Sequence, residues 1–113
     1  MEMTFEIEEV RSDGVPVVRV TGEIDVATAP ALREHLTTHE SAGAPVVVVD
    51  LTDVTFVDST ALGVLVGAYR RLGDAGSTLR LVVTEARILK VLEITDLMSV
   101  FPVFATVDEA VRG

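Results

Sequence analysis

The first residue with the setting for chemistry is Asp50. The run Val46-Val47-Val48-Val49 leads straight into it, and a buried strand that ends in a carboxylate is how phosphotransfer and nucleotide sites often begin. Its companions are missing. A phosphate-binding loop needs a Gly-rich segment ending in Gly-Lys-Ser/Thr, and the only lysine is Lys90. A haloacid-dehalogenase-like site needs a second acid two residues on, where Thr52 stands. A receiver site needs an acidic pair after its first strand and a lysine after a later one, and the chain has neither. Asp50 therefore reads as a strand-end carboxylate that takes hydrogen bonds from loop amides. A divalent ion gathered by Asp50, Asp53 and Asp58 is the weaker reading, because their segment also carries Phe56 and Val57.

His35 and His39 stand four apart in a helical segment, which is metal-ligand spacing. They lack a cysteine, a third histidine and the His-Glu-x-x-His pattern. A solvated helix face is expected, with no metal and no cofactor. These are also the only two histidines, so a Ser-His-Asp triad has little support.

The stretch Asp58-Ser59-Thr60-Ala61-Leu62-Gly63 is the more telling one. A polar triplet leads directly into an apolar helix. Ser59 or Thr60 is expected to cap that helix, a role that needs one hydroxyl where two are present. Ser59, Gly63 and Gly67 are spaced by four and share a helix face. Glycine inside a helix costs up to ~1 kcal/mol relative to alanine, so the stripe implies close packing. Two readings account for it, tight packing against a strand and a shallow groove for a partner, and spacing does not choose between them. A phosphate on Ser59 would meet the amides and dipole of a helix N-terminus. It would add roughly −1.5 to −2 charges without melting the fold.

The elements that position these residues can be read from periodicity. Thr4–Val10 alternates, Asp13-Gly14 signals a tight turn and Val15–Thr21 returns, so a hairpin opens the fold. Thr28 and Pro30 suit the start of a helix whose apolar side is Leu32 and Leu36, stopped at Ser41-Ala42-Gly43. Val46–Asp50 is a central strand and Thr52–Asp58 a loop. A buried helix runs to about Leu72, with Gly73 and Gly76 ending it. Leu79–Val83 is a strand and Glu85–Glu93 a helix. Val100–Phe104 contains Pro102 and so belongs on an edge. Thr106-Val107-Asp108-Glu109 fits a capping box ahead of a last short helix. The order β-β-α-β-α-β-α-β-α predicts one α/β domain, a mixed sheet of about five strands with about four helices.

Composition agrees with this. The chain has 113 residues, 49% of them hydrophobic, enough for one core without staples. It has no cysteine, which excludes disulfides and thiolate chemistry. One lysine and eight arginines face eighteen acids, a net charge of −9. Nucleic acid and anionic membranes are disfavoured as partners. The acidic start lacks a signal-peptide pattern, and the longest apolar run is Ala44–Val49. A cytoplasmic protein is expected.

Several segments together resemble a known family. Thr21-Gly22-Glu23-Ile24-Asp25, Thr28-Ala29-Pro30-Ala31-Leu32, Val46–Leu51 and Phe56–Leu65 are similar, in order and nearly end to end, to the STAS domain of bacterial anti-sigma factor antagonists. The resemblance implies the STAS fold and no catalysis. It implies that the unphosphorylated form binds an anti-sigma factor that is also a serine kinase of the GHKL type, which frees a sigma factor. Phosphorylation of Ser59 would end the binding, and a PP2C-type phosphatase would restore it. The implied binding surface is Glu23, Asp25 and Thr28; then Phe56, Val57, Asp58, Ser59, Thr60, Ala61, Leu62 and Gly63; then Thr84, Arg87 and Ile88. Ala61 stands where the family usually has glycine, and its methyl is expected to narrow the approach of a partner backbone. A monomer or weak dimer is expected. The fold also serves in stressosome and lipid-transport assemblies, so the alternative is an assembly module in which Ser59 only caps its helix. A nucleotide or magnesium binder built on Asp50, Asp53 and Asp58 is the third reading.

Overall fold

The computed structural model describes residues 5–113. The elements are β1 (Glu6–Ser12), β2 (Val15–Ile24), α1 (Ala29–Ala42), β3 (Val46–Val57), α2 (Ser59–Asp74), β4 (Thr78–Val82), α3 (Ala86–Ile94), a 3₁₀ turn (Leu97–Ser99), β5 (Val103–Phe104) and α4 (Val107–Arg112). They form a five-stranded sheet in the order β1-β2-β3-β4-β5. β1 and β2 are antiparallel and the other pairs are parallel. This is the mixed sheet and the helix count expected. Thr4, the expected start of the first strand, lies outside the described residues.

The hairpin forms because Asp13 and Gly14 both take positive φ, 51° and 78°, as a tight two-residue turn requires. Arg11 Nη1 donates to the Gly14 carbonyl at 2.8 Å and holds the turn. The crossovers α1, α2 and α3 then cover one sheet face. Val18, Val20, Val47, Val49, Leu79 and Leu81 pack there beneath Leu32, Leu36, Leu65, Leu72, Ile88 and Leu92. The other face is covered by α4 alone, where Ala110 closes over Val17, Val48 and Val82. Beyond α4 that face carries polar residues, including Arg19 and Glu8, whose side chains pair at 3.1 Å.

Five local expectations need correction. Thr52–Val57 is strand, not loop: β3 runs on and pairs with β2 as far as Ile24↔Val57. The register slips between Arg19 and Thr21 and again between Gly22 and Glu23. These irregularities break the alternation that would have marked a strand. Asp50 thus lies within β3 rather than closing it. It is buried, its Oδ1 accepts from the Thr52 amide at 3.0 Å and from the Thr52 hydroxyl, and Arg19 Nε stands 3.5 Å from Oδ2. The carboxylate satisfies the amide that the slip leaves over.

His35 and His39 do not form a merely solvated face. Their Nδ1 and Nε2 lie 2.6 and 2.8 Å from the two carboxylate oxygens of Glu9 on β1, and the His39 side chain is only 13% exposed. Gly73 does not end α2, which continues to Asp74; Gly76 follows with φ of 81°. The last strand is shorter than expected, two residues beginning just past Pro102. Gly43, by contrast, ends α1 in the left-handed conformation as its position suggests. Thr106 Oγ1 caps α4 by accepting from the Glu109 amide at 3.1 Å. No helix among the described residues is long and apolar enough to cross a membrane.

Candidate functional site

β2 and β3 are parallel and end side by side, with Glu23 opposite Phe56 and Ile24 opposite Val57. The two loops that follow must therefore emerge together, at the carboxyl ends of the strands, where open α/β sheets place their ligands. The Asp58 amide donates to the Ile24 carbonyl at 3.2 Å and ties one loop to the other.

The first loop is built on its own side chains. Asp25 Oδ1 accepts from the amides of Ala27 at 2.9 Å and Thr28 at 3.1 Å. Thr28 makes no capping bond to α1, contrary to expectation. Its hydroxyl turns back instead, donating to the Glu23 carbonyl at 2.8 Å and accepting from the Asp25 amide at 2.9 Å. Asp and Thr side chains that bond nearby backbone in this way fix a turn without help from the core. The loop is a preformed shape, and it holds Val26 71% exposed at its tip.

In the second loop the helix cap is Asp58, not Ser59 or Thr60. Its carboxylate accepts from the Ala61 amide at 2.9 Å while its backbone is extended. Ser59 becomes the first residue of α2 and is exposed, while Thr60 and Leu62 are half-buried. Phe56 is 48% exposed beside them. Gly63 is exposed, and a Cβ built on it would meet nothing within 4 Å. At Gly67 the same test finds only the end of the Arg71 side chain, at 3.0 Å. Packing against a strand, one of the two readings of the stripe, does not occur at Gly63: there the stripe opens outward.

Three expected surface residues are in the core. Val57, Ala61 and Ile88 are 6%, 0% and 2% exposed and pack in the cluster beneath the helices. The Ala61 methyl points into that core, so it cannot narrow a partner's approach. Thr84 and Arg87 are exposed and follow the shorter strand β4. β4 ends at Val82 opposite Asp50, whereas β3 continues to Val57. The residues brought together are Glu23, Asp25 and Thr28 with Phe56, Asp58, Ser59, Thr60, Leu62 and Gly63. Val26 was missed by the sequence reading; an apolar residue between Asp25 and Ala27 in a turn was the signal. Asp50, Asp53 and Asp58 do not act as a set, since Asp50 is engaged by Thr52 and Arg19 and Asp58 by the Ala61 amide.

The sequence profile of the STAS domain matches residues 6–110. The chain belongs to the STAS domain family. Among its STAS relatives, the anti-sigma-B factor antagonist of Listeria monocytogenes is 37% identical over 103 residues, covering 91% of this chain and 90% of that protein. The anti-sigma-B factor antagonist of Bacillus subtilis is 32% identical over 110 residues, covering 97% and 100%. The crystal structure of an anti-sigma factor antagonist from Mycobacterium paratuberculosis superposes with a TM-score of 0.85 at 33% identity, covering 98% of this chain and 92% of that one. In this STAS domain the loops after β2 and β3 lie side by side, and Ser59 stands exposed as the first residue of α2.

Proposed function

We propose that this STAS domain is an anti-sigma factor antagonist with no catalysis of its own, switched by phosphorylation of Ser59. In this reading the unmodified protein binds an anti-sigma factor that is also a serine kinase of the GHKL type, and so releases a sigma factor. Phosphate on Ser59 ends the complex, and a PP2C-type phosphatase resets it. The protein acts in the cytoplasm as a monomer or weak dimer. The relatives' names support the antagonist role.

One observation carries the switch: the helix that Ser59 begins is capped by its neighbour, Asp58. Ser59 has no structural task that would explain an exposed hydroxyl there. A phosphate at this position sits on a helix N-terminus that tolerates an anion, so modification alters the surface and leaves the fold standing. Phosphate and the Asp58 carboxylate would then lie side by side. Added bulk and negative charge would work against any partner that approaches over Val26, Phe56 and Gly63.

The test is phosphopeptide mass spectrometry on protein isolated from its native cells before and after stress, paired with binding of Ser59→Asp and Ser59→Ala to the captured anti-sigma factor. Phosphate on Ser59 that changes with stress, with weak binding by Ser59→Asp and strong binding by Ser59→Ala, is the expected outcome. A Ser59 never modified under any condition, together with equal binding by both variants, would move the protein to the assembly role.

A further inference from the structure

The sequence leaves His35 and His39 one ligand short of a metal site, and the fold supplies the missing one. Glu9 comes from β1, twenty-six residues before His35 and thirty before His39. Its two carboxylate oxygens face one imidazole each, at 2.6 Å from His35 Nδ1 and 2.8 Å from His39 Nε2. Two imidazoles one helical turn apart and one carboxylate form a His₂Glu donor set, which suits zinc with a water in the fourth position. We propose that Glu9, His35 and His39 bind a divalent zinc-class ion that clamps the edge strand β1 to α1.

As hydrogen-bonded pairs the donors do not converge on one point. No three such side chains among the described residues are grouped round one point as they stand, because each ring N–H donates to its own carboxylate oxygen. Ligands about 2.0 Å from a zinc ion stand roughly 3.3 Å apart in a tetrahedral site, so the two nitrogen–oxygen contacts must open by about 0.5–0.7 Å while the two ring nitrogens, now facing different oxygens of Glu9, turn toward one point. Glu9 and His35 are each over a third exposed and can make this shift by side-chain rotation. Each coordinating nitrogen then gives its lone pair to the metal, and its proton passes to the ring's other nitrogen.

The surroundings allow an ion to enter. A shallow hollow of about 270 Å³ lies against Glu9 and His39, and another of about 280 Å³ against His35. Arg11 lines the first and is the nearby opposing charge, but its guanidinium is held by the Gly14 carbonyl at the hairpin turn. Glu34 lines the second and adds negative charge. The site shares no residue with the Ser59 loop, so it stands or falls separately from the switch.

The test is calorimetric titration of zinc chloride into the tag-free, chelator-stripped chain, with magnesium chloride as the control. One zinc per chain is expected, saturating with a dissociation constant of roughly micromolar order, and no heat from magnesium. His39→Ala and His35→Ala should abolish this binding, and Glu9→Gln should weaken it at least about tenfold. Zinc should also raise the melting temperature of the wild type and leave that of His35→Ala unchanged. If His39→Ala fails to fold, the more exposed His35→Ala carries the comparison. No saturable heat up to about 1 mM zinc, or unchanged affinity in His35→Ala, would overturn the site and leave Glu9 as a plain hydrogen-bond acceptor.

Discussion

At the scale of single residues, Asp58 and Ser59 divide two jobs that adjacent polar residues usually share. The cap belongs to Asp58, so Asp58→Ala should lower stability by about 1 kcal/mol, while Ser59→Ala should leave it within about 0.5 kcal/mol. Urea unfolding of both variants checks this, and a larger loss from Ser59→Ala would return the cap to the serine. Gly63 makes a second case. It is exposed within a helix with open space where a Cβ would stand. Gly63→Ala should therefore stabilise the free protein by about 0.5–1 kcal/mol. If the groove docks a partner, the same variant binds more weakly, so stability and affinity move in opposite directions. The sequence pointed to the right triplet but could not assign the cap, because Asp and Ser have nearly equal N-cap preferences. It also could not show that the Ala61 methyl turns inward, since that depends on where α2 lies against the sheet.

At the scale of elements, what could be read depended on whether a segment's pattern was local. The helix stops at Gly43, the Asp13-Gly14 turn and the Thr106 cap are set by neighbouring residues, and each stands where the sequence put it. The end of β3 is different. Its strand character comes from pairing with β2 through two register slips, and slips erase the two-residue period. The Glu9–His contacts were invisible for the same reason, since they join residues from β1 and α1 that only the topology brings together. Asp50 shows the energetic side of this. It serves the slip by accepting from Thr52, and it lies close to Arg19. Asp50→Ala removes the acceptor that the buried carboxylate gives the part-buried Thr52 amide and should cost about 0.5–1.5 kcal/mol in urea unfolding. Asp50→Asn keeps an acceptor oxygen and should cost less. Equal losses from the two would mean that charge, through Arg19, matters more than the hydrogen bond to the amide. α2 and α1 also meet through one ion pair at their surface. Arg71 Nε donates to Glu40 at 2.7 Å, and that bond raises the Arg71 pKa. The arginine is half exposed, so the pair adds well under 1 kcal/mol, and the buried leucines hold these helices together.

At the scale of the whole molecule, the proposed switch has one modified residue silence a protein that already carries a net charge of −9. Ser59→Asp takes that charge only to −10. The far field that steers a partner is a sum over all charges and is screened beyond about 10 Å at 0.1 M salt. One more charge hardly changes it. The preformed loops after β2 and β3 also keep their shape, because their hydrogen bonds do not involve the Ser59 side chain. The switch must therefore act within contact range, and the kinetics should show it. Binding to the captured anti-sigma factor, followed by stopped flow at several salt concentrations, should give association rates for wild type and Ser59→Asp within about threefold of each other, with matching salt slopes. The dissociation rate of the variant should rise at least about tenfold, in line with interface changes that act mainly on dissociation. A loss confined to association and removed by high salt would instead mean that Ser59 acts through the long-range field. Contact at the Ser59 loop would then not be what phosphorylation breaks.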